Sequence, residues 1–248
     1  MIRLSVNVNK VATLRNSRGG QIPSVVDAVG VCMDAGAPGI TVHPRADRRH
    51  ITPDDVRAIA RAVRERSAKI EYNIEGDPRP ELLALVEDVR PDQCTLVPVV
   101  PGEVTSQAGW QPNEGLSDVI KRLHDRDIRV SLFVDAVPGP ISWAASVGAD
   151  RVELYTEPFA RAFEHGPDLG RRAFAQYAQS ARLAHSLGLG VNAGHDLDLA
   201  NLTIFRELPF LDEVSIGHAI MSRALFVGLS TVVREYLQLL AVQSDAGL

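Results

Sequence analysis

Four of the seven histidines in this sequence, His43, His50, His195 and His218, stand just past short β-type runs. Two of them follow a glycine, as Gly194-His195 and Gly217-His218. Imidazoles titrate near neutral pH, and several meeting around one ligand can carry general acid–base chemistry. A glycine at a strand end lets a backbone N–H approach a ligand closely. Gly217-His218 also opens the helical run Ala219-Ile220-Met221-Ser222-Arg223, whose free amides and dipole suit an anion. A second positive cluster follows His43 in ITVHPRADRRHIT, with Arg45, Arg48, Arg49 and His50. Guanidinium forks match phosphate oxygens, so two anion sites facing one another are predicted. Arg15 and Arg18, in ATLRNSRGG, are candidates for the same pocket.

Among the carboxylates, Glu71 alternates with Asn73 on one face of a strand predicted over Lys69–Ile74, with Ile70, Tyr72 and Ile74 on the other. A carboxylate turned into the interior is costly unless it is paired or protonated. Glu71 is therefore expected to be an inward acid–base group with a raised pKa, the alternative being a structural partner for Lys10 or an arginine. Asp135 and Glu153 are expected to orient or balance charge. Asn7 and Asn9-Lys10 close the first strand and face the same end.

These residues need a scaffold that brings strand ends together. Eight β-type runs recur: Arg3–Val8, Gly39–His43, Lys69–Ile74, Gln93–Val97, Arg129–Val134, Arg151–Tyr155, Gly190–Ala193 and Glu213–Ile216. Between them apolar residues fall at helical spacing, as in Val25, Val26, Val29, Cys32 and Met33, or Leu116, Val119, Ile120 and Leu123. Thr52-Pro53-Asp54-Asp55 reads as a helix start, and Ala35-Gly36, Val147-Gly148 and Leu187-Gly188 read as helix ends. Eight βα units predict an α/β fold, a (β/α)8 barrel of one domain over residues 1–242, with a frayed tail over 243–248. The active site of such a barrel lies at the carboxyl ends of its strands, where the histidines are. Two connections are long, residues 98–113 and 156–167.

A chain of 248 residues can bury roughly 70–75% of its unfolded surface, so neither disulfides nor a metal are needed to hold a core. Its net charge of −5 argues against nucleic acid or an anionic membrane as the main partner. Cys32 and Cys94 lie far apart in apolar surroundings and read as two inert, reduced core thiols. No signal-like segment and no apolar run of membrane-spanning length is visible, so a soluble, cytoplasmic protein is expected.

With those positions in view, the chain resembles the pyridoxine 5′-phosphate synthase family. The likeness runs through ATLRNSRGG, GITVHPRADRRHIT, LVP…EVT, VSLFVDA, VNAGH and IGHAI, in order along essentially the whole chain. The resemblance implies a (β/α)8 barrel assembled as a homo-octamer of dimers, with no metal or organic cofactor. It implies two small phosphorylated substrates, 1-deoxy-D-xylulose 5-phosphate and 3-amino-2-oxopropyl phosphate, condensed to pyridoxine 5′-phosphate with release of phosphate and water. Carried over by position, His43 is implied as a general base, Glu71 as an acid–base group, His195 as a proton donor and Glu153 as support for charge in the intermediate. Asn7, Asn9, Lys10, Arg18, Arg45, His50 and Thr105 are implied as substrate contacts, and Gly194, Gly217 and His218 as the holders of the retained phosphate. Asn9-Lys10 departs from the Asp-His of some family members. Two rival readings remain: a metal-dependent hydrolase using His43, Asp47, His50 and His195, and a non-catalytic phosphate-ligand binding protein.

Overall fold

The computed structural model describes residues 1–66, 69–100, 102, 106–112 and 115–241. The sequence reading of Thr105 and of the 243–248 tail therefore lies outside the described residues. Eight parallel strands, β1 (Arg3–Asn7), β2 (Gly39–Val42), β3 (Glu71–Gly76), β4 (Gln93–Leu96), β5 (Arg129–Val134), β6 (Arg151–Tyr155), β7 (Gly190–Gly194) and β8 (Leu211–Ile216), pair in sequence order. The last closes on the first, with Arg3 opposite Glu213 and Ser5 opposite Ser215, so the architecture is the predicted (β/α)8 barrel.

Each strand alternates by polarity, and the alternation decides which face meets what. Leu4, Val6, Ile40, Val42, Tyr72, Ile74, Leu96, Val130, Leu132, Val152 and Leu154 are buried and join the helices in one apolar core outside the barrel. The other face is polar. Ser5 Oγ lies 2.6 Å from Thr41 Oγ1. Asn73 Nδ2 donates to Thr41 Oγ1 at 3.3 Å, and Thr95 Oγ1 donates to Asn73 Oδ1 at 3.0 Å. Barrel interiors are usually filled by branched apolar side chains, whereas this one is a hydrogen-bonded polar layer. Because a buried polar group must be satisfied, each of these side chains ties one strand to the next.

Local signals in the sequence hold up in the connections. Asp55 N–H donates to Thr52 Oγ1 at 3.2 Å and Thr52 N–H donates to Asp55 Oδ2 at 2.8 Å, a capping box that starts the helix Pro53–Arg66. Cys32 and Cys94 are buried and unpaired to each other, and burial pushes both thiols up to about 12. The long connection over residues 156–167 contains the helix Glu157–Glu164.

The largest departure concerns β3. The strand begins two residues later than predicted and runs through Glu75 to Gly76. Glu71 is consequently its first residue, at the amino end of the barrel, where it is ion-paired with Arg129 and lies 3.5 Å from Arg3.

Candidate active site

The carboxyl ends of the strands surround a cavity of about 380 Å³. One wall comes from β1 and β2 and the loops that follow them: Asn7, Asn9, Lys10, Thr13, His43, Arg45, Arg49 and His50. The adjoining wall comes from β7, β8 and the segments that follow them: His195, Asp196, Leu197, Ser215, Gly217 and His218. Glu75, Ser106 and Glu153 complete it. The two anion-binding elements predicted from sequence thus line one cavity.

His43 is 8% exposed, and its backbone N–H donates to Asn9 Oδ1 at 2.9 Å. Asn9 in turn is held by Asn7, whose Oδ1 accepts the Asn9 N–H at 3.0 Å. On the ring, Nδ1 lies 3.7 Å from Glu75 Oε2, and Nε2 is buried with no partner among the described residues. An orphaned buried acceptor or donor is expensive. Burial first, then Arg45, His50, His195 and Arg79, push His43 well below its ordinary pKa, which favours the neutral imidazole.

The carboxyl group beside it is Glu75, not Glu71. Glu75 is 8% exposed and reached from across the barrel by Ser215 Oγ at 3.4 Å. Burial, against that hydrogen bond and with Glu213 adding to the rise, pushes it up to about 8. Glu153 is also raised, by burial and then by Glu75, so burial favours the protonated form of both carboxyl groups on the cavity floor. Glu71 does not reach the cavity; its alternative reading as partner of an arginine is the one the structure bears out. The register error has a clear source, since Glu75-Gly76-Asp77-Pro78 has the composition of a turn. Alternation was the signal available: Glu75 keeps phase with Glu71 and Asn73, and lies next to the carboxyl end.

The Gly-His pairs are explained by close approach. A Cβ on Gly194 would lie 2.3 Å from Glu153 Oε1, so the glycine makes room for that carboxyl group instead of lining the cavity itself. A Cβ on Gly217 would lie 2.9 Å from the Asn7 carbonyl oxygen. His195 adopts φ +86°, a left-handed conformation rare outside glycine. Its ring packs on Phe133 and Tyr155, with centroids at 5.3 and 5.5 Å. Burial holds His195 below its ordinary pKa, opposed by Asp196 and Glu157. Burial with Arg45 and Lys10 lowers His50 to about 4, and His50 Nδ1 accepts the Ile51 N–H at 2.9 Å. His218 is the first residue of the helix His218–Val227.

Two arginines considered for the pocket sit elsewhere. Arg15 is bound to both oxygens of Asp55, at 2.6 and 2.9 Å, and braces the loop before the helix Pro53–Arg66. Arg18 is exposed and does not line the cavity. Asp47, a ligand in the metal reading, is turned to Arg49, whose Nε donates to it at 2.7 Å. Among the described residues no group of three or more His, Cys, Asp or Glu is arranged to hold a metal. Ser106, Thr13, Asp196 and Leu197 line the cavity without having been singled out in sequence, because none belongs to a motif with its own chemistry.

The model of the family described as "Pyridoxal phosphate biosynthesis protein PdxJ" matches residues 4–242. The chain belongs to the PdxJ family. Relatives of it named pyridoxine 5′-phosphate synthase include those of Leptospira biflexa, 47% identical over 99% of both chains, and Porphyromonas gingivalis, 48% identical over 98% of this chain and 100% of that one. That of Bacteroides thetaiotaomicron is 49% identical over 95% and 98%. Among solved structures, 3-hexulose-6-phosphate synthase from Salmonella typhimurium matches with a TM-score of 0.65 and 16% identity over 96% of this chain and 98% of that one, a likeness of fold alone. PdxJ membership agrees with the resemblance read from ATLRNSRGG, VNAGH and IGHAI.

Proposed function

We propose that the cavity condenses 1-deoxy-D-xylulose 5-phosphate with 3-amino-2-oxopropyl phosphate, giving pyridoxine 5′-phosphate, phosphate and water. The observation that carries this reading is the buried His43 imidazole, unpartnered at Nε2 among the described residues, lining one cavity together with Glu75, Glu153, His195 and the cationic Lys10 and Arg45. The names of relatives that align over nearly the whole chain support the same activity.

The reaction joins an amine to a ketone as an imine, eliminates phosphate, adds water and closes a ring with further dehydration. Every step moves a proton. His43, neutral, accepts protons at Nε2. Glu75, protonated at neutral pH with a pKa of about 8, donates first and can accept later, which is the role the sequence assigned to Glu71. Glu153, packed against Gly194, would protonate or steady charge in the intermediate. His195 starts neutral; a phosphate dianion in the cavity raises its proton affinity and so arms it as a donor. Lys10, Arg45 and His50 on one wall, with Asn7, would hold the sugar phosphate. On the other, Gly217 and His218 at the helix start would hold the phosphate retained in the product. Fixing two substrates side by side removes much of the entropic barrier to their condensation.

The test is a coupled assay on chelator-treated protein with both substrates, following pyridoxine 5′-phosphate and phosphate together. Stoichiometric appearance of both supports the reading, and phosphate without the ring product defeats it. The reading extends to a homo-octamer built from dimers in the cytoplasm. Exposed Leu225, Phe226 and Ile22 supply apolar surface for subunit packing, and light scattering should return eight times the 26.9 kDa chain mass.

A further inference from the structure

Arg79 lies outside the cavity wall, in the loop between β3 and the helix Pro80–Val89. Its side chain is 18% exposed and reaches back to the neighbouring loop, where Nη2 donates to the Pro44 carbonyl at 2.5 Å. Nη1 is paired with Asp77, which fixes the guanidinium from its own loop. Pro44 stands between His43 and Arg45, the base and the first cation of the anion site. Proline has no N–H, so this turn lacks one of its backbone anchors. The His43 N–H is tied to Asn9 on one side, and the Pro44 carbonyl is tied to Arg79 on the other.

We propose that Arg79 is a positioning residue, a strut between the β2 and β3 loops that keeps the His43 ring and the Arg45 side chain in place against the cavity. The inference rests on the function proposed above. It also has an electrostatic side. The charged or titratable groups facing His43 are Glu75 from β3, Arg45 and His50 from its own loop, His195 from the loop after β7, and Arg79. Removing the Arg79 cation therefore raises the proton affinity of His43, and a residue with only a scaffolding role would leave it unmoved.

The test compares Arg79→Met and Arg79→Lys with the wild type. Arg79→Met should lower kcat/KM by about 10- to 100-fold, as for a misplaced catalytic group. It should also move the acid limb of the pH profile to higher pH. In the ligand-free protein, 15N resonances of His43 in mild acid should show more imidazolium than in the wild type. Arg79→Lys should return the acid limb and part of the rate. Wild-type kcat/KM in Arg79→Met, or a rate loss with unmoved acid limb and unmoved His43 resonances, would overturn the proposal. If Arg79→Met does not fold, Asp77→Asn releases the guanidinium while keeping its charge; a lowered rate with an unmoved limb is then expected, and a wild-type rate overturns the strut. Should the wild type make no pyridoxine 5′-phosphate, the activity reading fails while the 15N readout still decides the role of Arg79.

Discussion

Glu71 and Glu75 are the same residue type, four positions apart on the same face of one strand, yet they occupy opposite ends of the barrel and opposite electrostatic worlds. Glu71, at the amino end, meets Arg129 and Arg3, whose side chains are partly open to solvent. Glu75, at the carboxyl end, meets a serine hydroxyl at 3.4 Å and the His43 imidazole at 3.7 Å. The first carboxyl sits in an ion pair, and burial pushes the second toward its protonated form. Strand phase alone gives both an inward side chain. Depth along the barrel axis puts one in an ion pair and the other against the cavity.

The sharpest way to break this comparison is to remove each carboxylate by amide replacement. Glu75→Gln should cut kcat on the order of 10²- to 10⁴-fold with the fold and phosphate-ligand binding retained, and His43→Asn should do the same. A steady-state assay with ligand titration checks both, and near-wild-type turnover in Glu75→Gln would return the acid role to another residue. Next in size, Gly194→Ala should displace Glu153 and cost about 10-fold or more in kcat, since the new Cβ would overlap its Oε1 at 2.3 Å. Unchanged kcat in that variant would show that the Glu153 position does not matter.

Glu71→Gln should act on stability and leave turnover nearly unchanged. Breaking a buried ion pair costs several kcal/mol, but Arg129 and Arg3 are 29% and 37% exposed, so about 1–3 kcal/mol is expected in urea denaturation. Loss of turnover without loss of stability would reverse the assignment of the two glutamates. The smallest effect is a pH dependence. Folded Glu75, at about 8 against an ordinary 4.5, binds more protons than the unfolded chain between those values. Its contribution to stability is therefore full below about pH 4.5 and is lost as pH rises toward 8. Glu75→Gln should gain on the wild type across that window, with part of the slope remaining because Glu213 is also pushed up to about 8. Equal slopes in the two proteins would mean that Glu75 is already ionised.

Much of this arrangement was legible in the chain. The strands beginning at Arg3, Gly39, Gln93, Arg129, Arg151 and Gly190 start where alternation put them. His43, His195, His218 and Arg45 meet because strand ends in a barrel have no other place to converge. The errors were local. Turn-like composition after Ile74 shortened β3, and a shift of two residues carried the expected acid to the wrong end. Arg15 looked like a phosphate ligand because its partner Asp55 lies 40 residues away.

The sequence by itself determined the barrel, since alternating polarity at period two between amphipathic helices can bury its apolar face in only a few ways, and it brought the two Gly-His pairs to neighbouring strand ends, where His195, Gly217 and His218 line the cavity. Tertiary structure decided the chemistry of the individual groups. Ser215 reaches Glu75 across 140 residues of chain, and Glu153 and His43 approach it from two further strands. A proton's preference depends on which charges and hydrogen bonds surround it in three dimensions, and no local spacing records them until the barrel closes.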